Sequence, residues 1–273
     1  MPINIDKYVS LLTKYKNIIL HGAPGTGKTT IAKAIAKQLQ AEEGFVQFHP
    51  SYDYTDFVEG LRPFKNDGSK EIGFRHKNGI FKEFCKKALE DPETNYVFII
   101  DEINRGDISK IFGELFFAID PGYSGEEGKV QTQYQNIIED GEGWEDGFYV
   151  PANVYIVGTM NDIDRSVESL DFAMHRRFRF VEVTAEESAD NMRIGKTERE
   201  AMLRLNEAIM NTPNLGTDFQ IGASYFKDSM DAAERWEMSL KRLLKEYLRG
   251  IDRNGDKFKA LENAYFGNTD ADE

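Results

Sequence analysis

The residues with the clearest chemical meaning lie in one short stretch near the start of the chain. Residues 22–29 read Gly-Ala-Pro-Gly-Thr-Gly-Lys-Thr and fit the pattern G-x-x-x-x-G-K-S/T. Glycines let backbone N–H groups converge on a phosphate without Cβ clashes, and a following helix turns its positive end toward the same anion. In this pattern the lysine reaches the β- and γ-phosphates, and the hydroxyl after it ligates Mg²⁺. The stretch therefore predicts a site for a nucleoside triphosphate and Mg²⁺.

The predicted nucleotide contacts form one continuous run: Gly22, Ala23, Pro24, Gly25, Thr26, Gly27, Lys28, Thr29 and Thr30. Within it, Lys28 is also a candidate catalytic residue and Thr29 a candidate metal ligand. An accidental glycine turn is the alternative interpretation. An apolar strand before the run and a helical composition after it favour the phosphate site.

A pair of acids follows the most apolar stretch of the chain. Val97-Phe-Ile-Ile100 ends in Asp101-Glu102. Carboxylates directly after a buried strand are costly unless they face a charged site at the edge of the sheet, where phosphates bind. We expect Asp101 to contribute to the Mg²⁺ shell and to nucleotide binding, and Glu102 to activate the attacking water. A solvated acidic turn is the alternative for an Asp-Glu pair on its own.

Two more candidate groups follow later in the chain. Asn161 comes after an apolar run and can hydrogen-bond the γ-phosphate or the attacking water. Arg176 and Arg177 close a helical stretch, where arginines can simply complement the helix dipole. In an oligomeric nucleoside triphosphatase the same arginines can reach the γ-phosphate of a neighbouring subunit, where charge grows in the transition state.

These groups need a scaffold that brings several strand ends together. Apolar runs predict five strands, at 17–21, 45–49, 96–100, 153–157 and 178–183, and helical composition covers 4–15 and 28–40. Alternating strands and helices predict an α/β fold with a parallel sheet covered on both faces. Beyond Thr184 the chain predicts only helices, at 186–210, 229–250 and 256–265. We therefore predict a nucleotide-binding core over residues 1–185 and a helical lid over residues 186–273.

An acidic stretch interrupts the predicted core at about residues 120–150. Between Asp120 and Gly147 lie eight acids and one base. Its length exceeds that of an ordinary connection, so we expect an insertion. It is either a hairpin that faces a pore or a partner, or a solvated mobile loop.

Composition excludes several classes of protein. The 273 residues carry 47 acids and 34 bases, a net charge of −13, and no run approaches the roughly 20 apolar residues of a membrane helix. So acidic a chain is a poor general nucleic-acid binder, and any DNA contact must come from a local basic surface, another domain or a partner. The single cysteine, Cys85, excludes an internal disulfide and favours a cytoplasmic location.

Four stretches carry a resemblance that is more specific than the phosphate loop. They are QFHPSYDYTDFVEG at 47–60, IDEINRGDISKIFGEL at 100–115, GTMNDIDRS at 158–166 and IGASYF at 221–226. With these stretches the chain resembles the AAA+ domain of the McrB family, the motor subunits of modification-dependent restriction systems. The resemblance implies a P-loop AAA+ core with a five-stranded parallel sheet, the P-loop strand beside the sensor strand, and a small C-terminal helical lid.

The resemblance also implies roles and partners. It makes Lys28 and Thr29 the phosphate and Mg²⁺ site, and Asp101 and Glu102 the Walker B pair. Asn161 becomes the first sensor, and Arg176 or Arg177 the finger that acts on the neighbouring subunit. Arg105 points toward a subunit boundary in the family's pattern. Family members form rings, commonly hexamers, hydrolyse GTP and drive DNA translocation with a McrC-type nuclease partner.

Alternatives remain at this stage. ATP is the second choice of nucleotide, because the sequence has no Asn-Lys-x-Asp element for reading guanine. A MoxR-like ATPase that remodels protein complexes is the alternative function. The chain departs from the family at His175, where an extra arginine is usual, and at Ala223, where histidine is frequent. Only about twenty residues precede the phosphate loop, so we expect DNA to be read by a partner or a separate domain.

Overall fold

The computed structural model describes residues 4–65, 72–123, 125–138, 144–164 and 172–268. Its strands are β1 (Asn17–His21), β2 (Glu42–Gln47), β3 (Glu59–Lys65), β4 (Ile72–Asn78), β5 (Tyr96–Asp101), β6 (Val154–Thr159) and β7 (Arg179–Glu182). Five of them form a parallel sheet in the order β2-β5-β6-β1-β7, and β3 pairs with β4 in an antiparallel hairpin. The predicted five-stranded parallel sheet is confirmed.

The α-helices of the described residues cover both faces of this sheet and make up most of the C-terminal part. They are α1 (Ile5–Tyr15), α2 (Lys28–Gln38), α3 (Tyr54–Phe57), α4 (Ile80–Glu90), α5 (Ile108–Phe112), α6 (Leu115–Ala118), α7 (Phe172–Arg177), α8 (Ala185–Met192), α9 (Lys196–Asn211), α10 (Ala232–Arg235), α11 (Lys241–Tyr247) and α12 (Asp256–Phe266). A π-helical turn over Trp236–Leu240 joins α10 to α11. Among these helices, none has the length and apolar character needed to cross a bilayer.

The strand order places the candidate residues at one edge of the sheet. β1 lies next to β6, and β6 lies next to β5, with Leu20 opposite Thr159 and Ile100 opposite Gly158. All three strands are parallel, so the loops that follow them leave the sheet side by side. The predicted neighbourhood of the P-loop strand and the sensor strand is confirmed.

Apolar side chains alternate between the two faces of the central strands. On one face Ile18 and Leu20 pack with Ile31 and Ile35 of α2 and with Leu12 of α1. On the other face Phe98 meets an aromatic cluster in which the rings of Phe57 and Phe81 stack at 4.9 Å. Because both faces are buried, the strands are continuous apolar runs rather than alternating ones.

Several predicted boundaries were wrong. The strand expected at 45–49 runs from Glu42 to Gln47, and the helix expected to reach residue 40 stops at Gln38. The long helix expected at 186–210 is two helices, because Arg193 adopts a left-handed backbone with φ 54° and ends α8. The helix expected from 229 begins at Ala232.

The β3–β4 hairpin was not predicted. Its strands contain charged residues, Pro63 and Gly73, and most of their side chains are exposed or half-buried. Without a buried face, neither strand shows the apolar period by which a strand is recognised in sequence. The residues between the two strands, 66–71, lie outside the described part.

The acidic stretch 120–150 is anchored to the core at its described ends. Trp144, Phe148 and Val150 are buried in the larger core cluster, and Val130 forms an isolated antiparallel bridge with Phe148. Gly125–Gly128 and Gln135–Ile137 form single 3₁₀ turns. A purely solvated loop is therefore the wrong description of these ends, whereas residues 124 and 139–143 lie outside the described part.

The C-terminal helices have a hydrophobic cluster of their own. Trp236, Leu240 and Leu261 are fully buried or nearly so within it, and Trp236 stacks on Tyr265 at 5.4 Å. This cluster shares no residue with the two clusters of the sheet. The division into two domains at residue 185 stays a prediction.

Candidate functional site

The loop between β1 and α2 contains glycines in backbone conformations that strongly favour glycine. Gly22 has φ 139° and Gly25 has φ 79°, values that side-chain-bearing residues rarely adopt. A Cβ at Gly22 would lie 2.5 Å from the Val183 carbonyl oxygen, and one at Gly25 would lie 2.5 Å from Ser224 Oγ. At these two positions the loop therefore consists of backbone alone, directly before α2, whose N-terminal amides face it.

Lys28 lies inside this loop. Its Nζ donates hydrogen bonds to the carbonyl oxygens of Gly22 at 3.0 Å and Ala23 at 2.8 Å. Burial lowers the pKa of the ammonium to about 8, although nearby carboxylates, with Asp162 and Glu102 first among them, oppose this shift. Its third partner is the Thr26 hydroxyl at 3.4 Å. A buried cation held by neutral oxygens can form stronger hydrogen bonds by donating to phosphate oxygens instead.

The two predicted metal ligands are in direct contact. Thr29 Oγ1 donates to Asp101 Oδ1 at 2.7 Å. The same carboxylate oxygen accepts a 2.7 Å hydrogen bond from Thr159 Oγ1, and that hydroxyl accepts from the backbone N–H of Glu102 at 3.3 Å. Sequence reasoning missed Thr159, although it ends β6 within one of the four family stretches.

These oxygens fit Mg²⁺ in the way expected for a nucleotide complex. The protein would contribute one carboxylate and one hydroxyl to the coordination shell of the ion, and phosphates and waters would complete it. No group of three or more His, Cys, Asp or Glu side chains forms a metal cage in the described residues. Thr29 and Asp101 would hold the ion, and the nucleotide would supply most of its remaining ligands.

The direction of the Glu102 side chain is set by its backbone conformation and by two hydrogen-bond donors. It adopts a left-handed conformation with φ 52°, a strained geometry for a residue with a side chain. Oε1 accepts from Asn161 Nδ2 at 2.9 Å, and Oε2 accepts from Arg105 Nε at 3.2 Å. Burial raises the pKa of Glu102 and so favours a proton acceptor, while the charge of Arg105 counters the rise.

Arg105 lies in the site of its own subunit. Besides Glu102, it binds Asp164, with Nη2 at 3.1 Å from Oδ2. The neighbouring Glu102 carboxylate raises the pKa of the guanidinium, so Arg105 stays charged. The family pattern had pointed to a subunit boundary, and the 48% exposure of this side chain leaves one side of it open to solvent.

The structure does not bring Arg176 and Arg177 to this site within one subunit. Arg177 donates from Nε to the Phe116 carbonyl and from Nη1 to the Ala173 carbonyl at 2.9 Å, contacts that tie it to α6 and α7. Arg176 pairs with the buried carboxylate of Asp120 at 3.1 Å and is itself 68% exposed. The predicted role of these arginines in a neighbouring subunit stays a prediction.

The stretch 221–226 lies directly on the phosphate loop. The Gly222 N–H donates to the Pro24 carbonyl at 2.9 Å, and the Ser224 N–H donates to the Gly25 carbonyl at 3.0 Å. Approach is so close that a Cβ at Gly222 would lie 2.2 Å from the carbonyl carbon of Gly25. The segment between α9 and α10 is thus hydrogen-bonded to the loop through its backbone, a contact that no sequence pattern predicted.

A cleft of about 860 Å³ opens between the sheet edge and the C-terminal helices. From the core it is lined by Pro24, Asn161, Arg105 and Asp164, and from the C-terminal helices by residues that include Phe219, Leu243 and Tyr247. Both sides of the cleft carry polar and apolar side chains, since Ile163 lines it from the core and Glu246 and Arg249 line it from the C-terminal part. Such a cleft suits a ligand with both charged and apolar parts.

The rest of the stretch after Asn161 is partly described. Asp162 binds His21 Nδ1 at 3.0 Å, and this contact raises the pKa of the imidazole. It links the end of β1 to the loop after β6. Arg165 and Ser166, the last residues of that stretch, lie outside the described residues.

The fold and the site together define a class of protein. A parallel sheet carries a phosphate loop after one strand, an acid pair after a second, and an asparagine after the strand between them. That arrangement is a P-loop nucleoside triphosphatase domain of the AAA type. The chain belongs to the AAA domain family, dynein-related subfamily, which it matches over residues 17–178.

Within this family the chain is McrB-like. It is 41% identical over 239 residues to the EcoKMcrB subunit of the type IV methyl-directed restriction enzyme of Escherichia coli K12, across 81% of this chain and 50% of that protein. It is 30% identical over 203 residues to the YdiS component of the type II restriction enzyme BsuMI of Bacillus subtilis 168, across 64% of this chain and 59% of that protein. The chain spans about half the length of these curated relatives. The resemblance seen in sequence is confirmed.

Proposed function

We propose that this chain is the nucleotide-hydrolysing motor domain of a McrB-type restriction system, with GTP as its substrate and ATP as the second choice. The observation that carries the proposal is the meeting of Thr29, Asp101 and Thr159 beside the Glu102–Asn161 pair. A metal-ligand pair and a carboxylate base, side by side at the end of a phosphate loop, are the parts that phosphoryl transfer to water requires.

The side chains divide the work of hydrolysis. Lys28 exchanges its carbonyl partners for phosphate oxygens and neutralises charge there. Glu102 orients a water for attack and accepts its proton. Asn161 fixes the position of the Glu102 carboxylate relative to the γ-phosphate. When bound by Thr29 and Asp101, Mg²⁺ supplies charge neutralisation on the phosphates.

We further propose that the active unit is a ring, of which a hexamer is the expected form. Arg176 is the more accessible of the two finger candidates, because the guanidinium of Arg177 already donates hydrogen bonds to backbone carbonyls of its own subunit. A guanidinium supplied by a neighbour would stabilise the charge that develops on the γ-phosphate. Hydrolysis would then depend on assembly.

Partners complete the proposed system. Both relatives described above are components of restriction enzymes, which supports a McrC-type nuclease partner and DNA translocation. The net charge of −13 favours DNA contact through that partner or a separate domain. The stretch from Asp101 to Arg105 is also compatible with the alternative, a MoxR-like protein-remodelling ATPase, whereas the stretches 48–52 and 158–166 favour the McrB type. DNA-stimulated turnover with a nuclease subunit would distinguish the two.

The direct test is turnover of GTP and ATP with Mg²⁺ across a range of protein concentrations. We expect hydrolysis whose specific activity rises steeply with concentration, because the sites are shared, and a faster rate with GTP. Removal of Mg²⁺ with a chelator should abolish it. Absence of hydrolysis of both nucleotides at all concentrations would contradict the proposal.

A further inference from the structure

We infer that Arg105, braced by Asp164 of the same subunit, is a positioning residue that holds the Glu102 carboxylate toward the attacking water. The inference rests on the proposed hydrolysis and adds to it a positioning role for Arg105 and its partner Asp164. It places the action of Arg105 within its own subunit rather than across a subunit boundary.

The hydrogen bonds fix the carboxylate from both sides. Asn161 donates to one oxygen of Glu102 at 2.9 Å, and Arg105 donates to the other at 3.2 Å. With one donor on each oxygen the plane of the carboxylate cannot rotate freely. Each oxygen still has a lone pair with which to accept a proton from water.

The local backbone explains why such a brace is needed. Glu102 follows the last residue of β5, in a left-handed conformation, and the chain then enters the short 3₁₀ turn Ile103–Arg105. Neither the sheet ladder nor a regular helix sets the direction of its side chain. Arg105, three residues on, returns to the carboxylate and ties it to Asp164 in the loop after β6.

An arginine is suited to this task by its shape. Its planar guanidinium offers Nε to Glu102 and Nη2 to Asp164 at 3.1 Å, so one rigid group spans two acceptors. A lysine has one nitrogen on a flexible stem and can reproduce the charge but not the fork. Arg105 is 48% exposed, so its removal leaves the hydrophobic core intact.

The experiment compares Arg105→Ala, Arg105→Lys and Asp164→Asn with the wild-type chain. For each, kcat is measured with Mg²⁺–GTP, and nucleotide affinity is measured separately with a fluorescent GTP analogue. We expect Arg105→Ala to lower kcat on the order of 10²-fold, as a misplaced base does, with affinity changed by less than about threefold. Arg105→Lys should recover part of the loss, and Asp164→Asn should lose less than Arg105→Ala.

A matched control removes a cation from the same region. Lys110 is 81% exposed and pairs with Asp107 at 2.6 Å, five residues beyond Arg105. Lys110→Ala should keep wild-type kcat. This comparison separates the orientation of Glu102 from a general loss of positive charge.

Mixing subunits decides where Arg105 acts. Arg105→Ala and Glu102→Gln disable the same site when Arg105 works within its own subunit, so a mixture of the two variants should recover no turnover. Recovery would show that Arg105 works across a boundary and would overturn the inference. Wild-type kcat in Arg105→Ala, or loss of nucleotide affinity equal to the loss of kcat, would overturn it too, whereas a wild-type chain without turnover would refute the proposed function itself.

Discussion

At the scale of single residues, the site is a short chain of oxygens and donors. Thr159 is its least expected member, since its hydroxyl accepts from the Glu102 backbone and donates to Asp101. It thereby connects Asp101, the candidate metal ligand, to the backbone of Glu102, the candidate base. A hydroxyl that is only 3% exposed is retained at a strand end because both of its hydrogen bonds are used.

Thr159→Val tests this link, because valine keeps the shape and removes the hydroxyl. Asp101 would lose one of its two donors, and the Glu102 amide would lose its acceptor. We expect kcat to fall roughly tenfold and the Mg²⁺ concentration for half-maximal activity to rise. Steady-state kinetics over a Mg²⁺ titration measure both, and an unchanged Mg²⁺ dependence would remove Thr159 from the metal site.

The His21–Asp162 pair gives a prediction of pH dependence. Its hydrogen bond raises the pKa of His21 above the ordinary value of about 6.5, so the pair stabilises the fold when the imidazole is charged. This stability is fully present below pH 6.5 and is lost as the pH rises through the raised pKa.

We therefore expect Asp162→Asn to destabilise the chain at pH 6 and to have little effect at pH 9. Because both side chains are partly exposed, the difference should stay below about 1 kcal/mol. Urea unfolding at the two pH values measures it. A destabilisation that is equal at both values would show that the pair acts without its charge.

Residue roles were predictable from the sequence only where a linear motif carried them. The phosphate loop and the Asp101–Glu102 pair have fixed spacings, so roles for them could be predicted before any fold was known, and those roles stay predictions. The contacts of Thr159 and Asp164 are with Asp101 and Arg105, which are 58 and 59 positions away in sequence. No local pattern encodes contacts over such separations. Arg105 was singled out by sequence, but its partners became visible only in three dimensions.

At the scale of elements, the central relation is between the phosphate loop and the stretch 221–226. Two backbone hydrogen bonds join them, from Gly222 to Pro24 and from Ser224 to Gly25. A change in the loop on nucleotide binding would therefore act first on the stretch 221–226, which lies between α9 and α10. This contact gives the predicted lid a physical means to follow the state of the site.

Gly222→Ala tests the contact, because the added Cβ would lie 2.2 Å from backbone of Gly25 and must push the two segments apart. We expect nucleotide affinity to fall by about tenfold or more and the melting temperature to drop by several degrees. Gly216→Ala is the matched control, since its Cβ would meet nothing within 4 Å and its backbone is extended. Equal effects of the two substitutions would show that the contact is dispensable.

Among the elements, the strands of the parallel sheet were predictable from their apolar patterns, including the more exposed β2 and β7. β1, β5 and β6 are apolar because both faces of the sheet are covered; β1 was recognised with its observed bounds, and β5 and β6 with small errors at their ends. The β3–β4 hairpin has no buried face and was missed. The break between α8 and α9 depends on one left-handed residue, Arg193, which composition does not reveal.

At the scale of the whole molecule, the proposed ring requires each subunit to supply a residue to the nucleotide site of its neighbour. Within one subunit the site holds the candidate base, the candidate sensor and the candidate metal ligands, but the contacts of the two candidate fingers lie elsewhere. Arg176 is mostly exposed and pairs with Asp120, at the start of the acidic insertion. The face that carries α7 is therefore the expected contact with the neighbouring site.

Arg176→Ala should leave nucleotide binding and the melting temperature near wild type while lowering turnover by 10³-fold or more, an effect on the order of that of a missing finger. Mixed with Glu102→Gln subunits, it should recover part of the activity, because a neighbour's arginine and an intact base then meet at some interfaces. No recovery at any mixing ratio would argue against a shared site. This outcome is opposite to the one expected for Arg105→Ala.

The central claim, that Glu102 activates the attacking water at this phosphate loop, is tested most directly by Glu102→Gln. Glutamine keeps the size and the hydrogen-bonding oxygen but cannot accept the proton. In a single-turnover experiment with Mg²⁺–GTP, we predict that the variant binds nucleotide as tightly as the wild-type chain and hydrolyses it at least about 10²-fold more slowly. Cleavage at the wild-type rate by the nucleotide-bound variant would contradict the account.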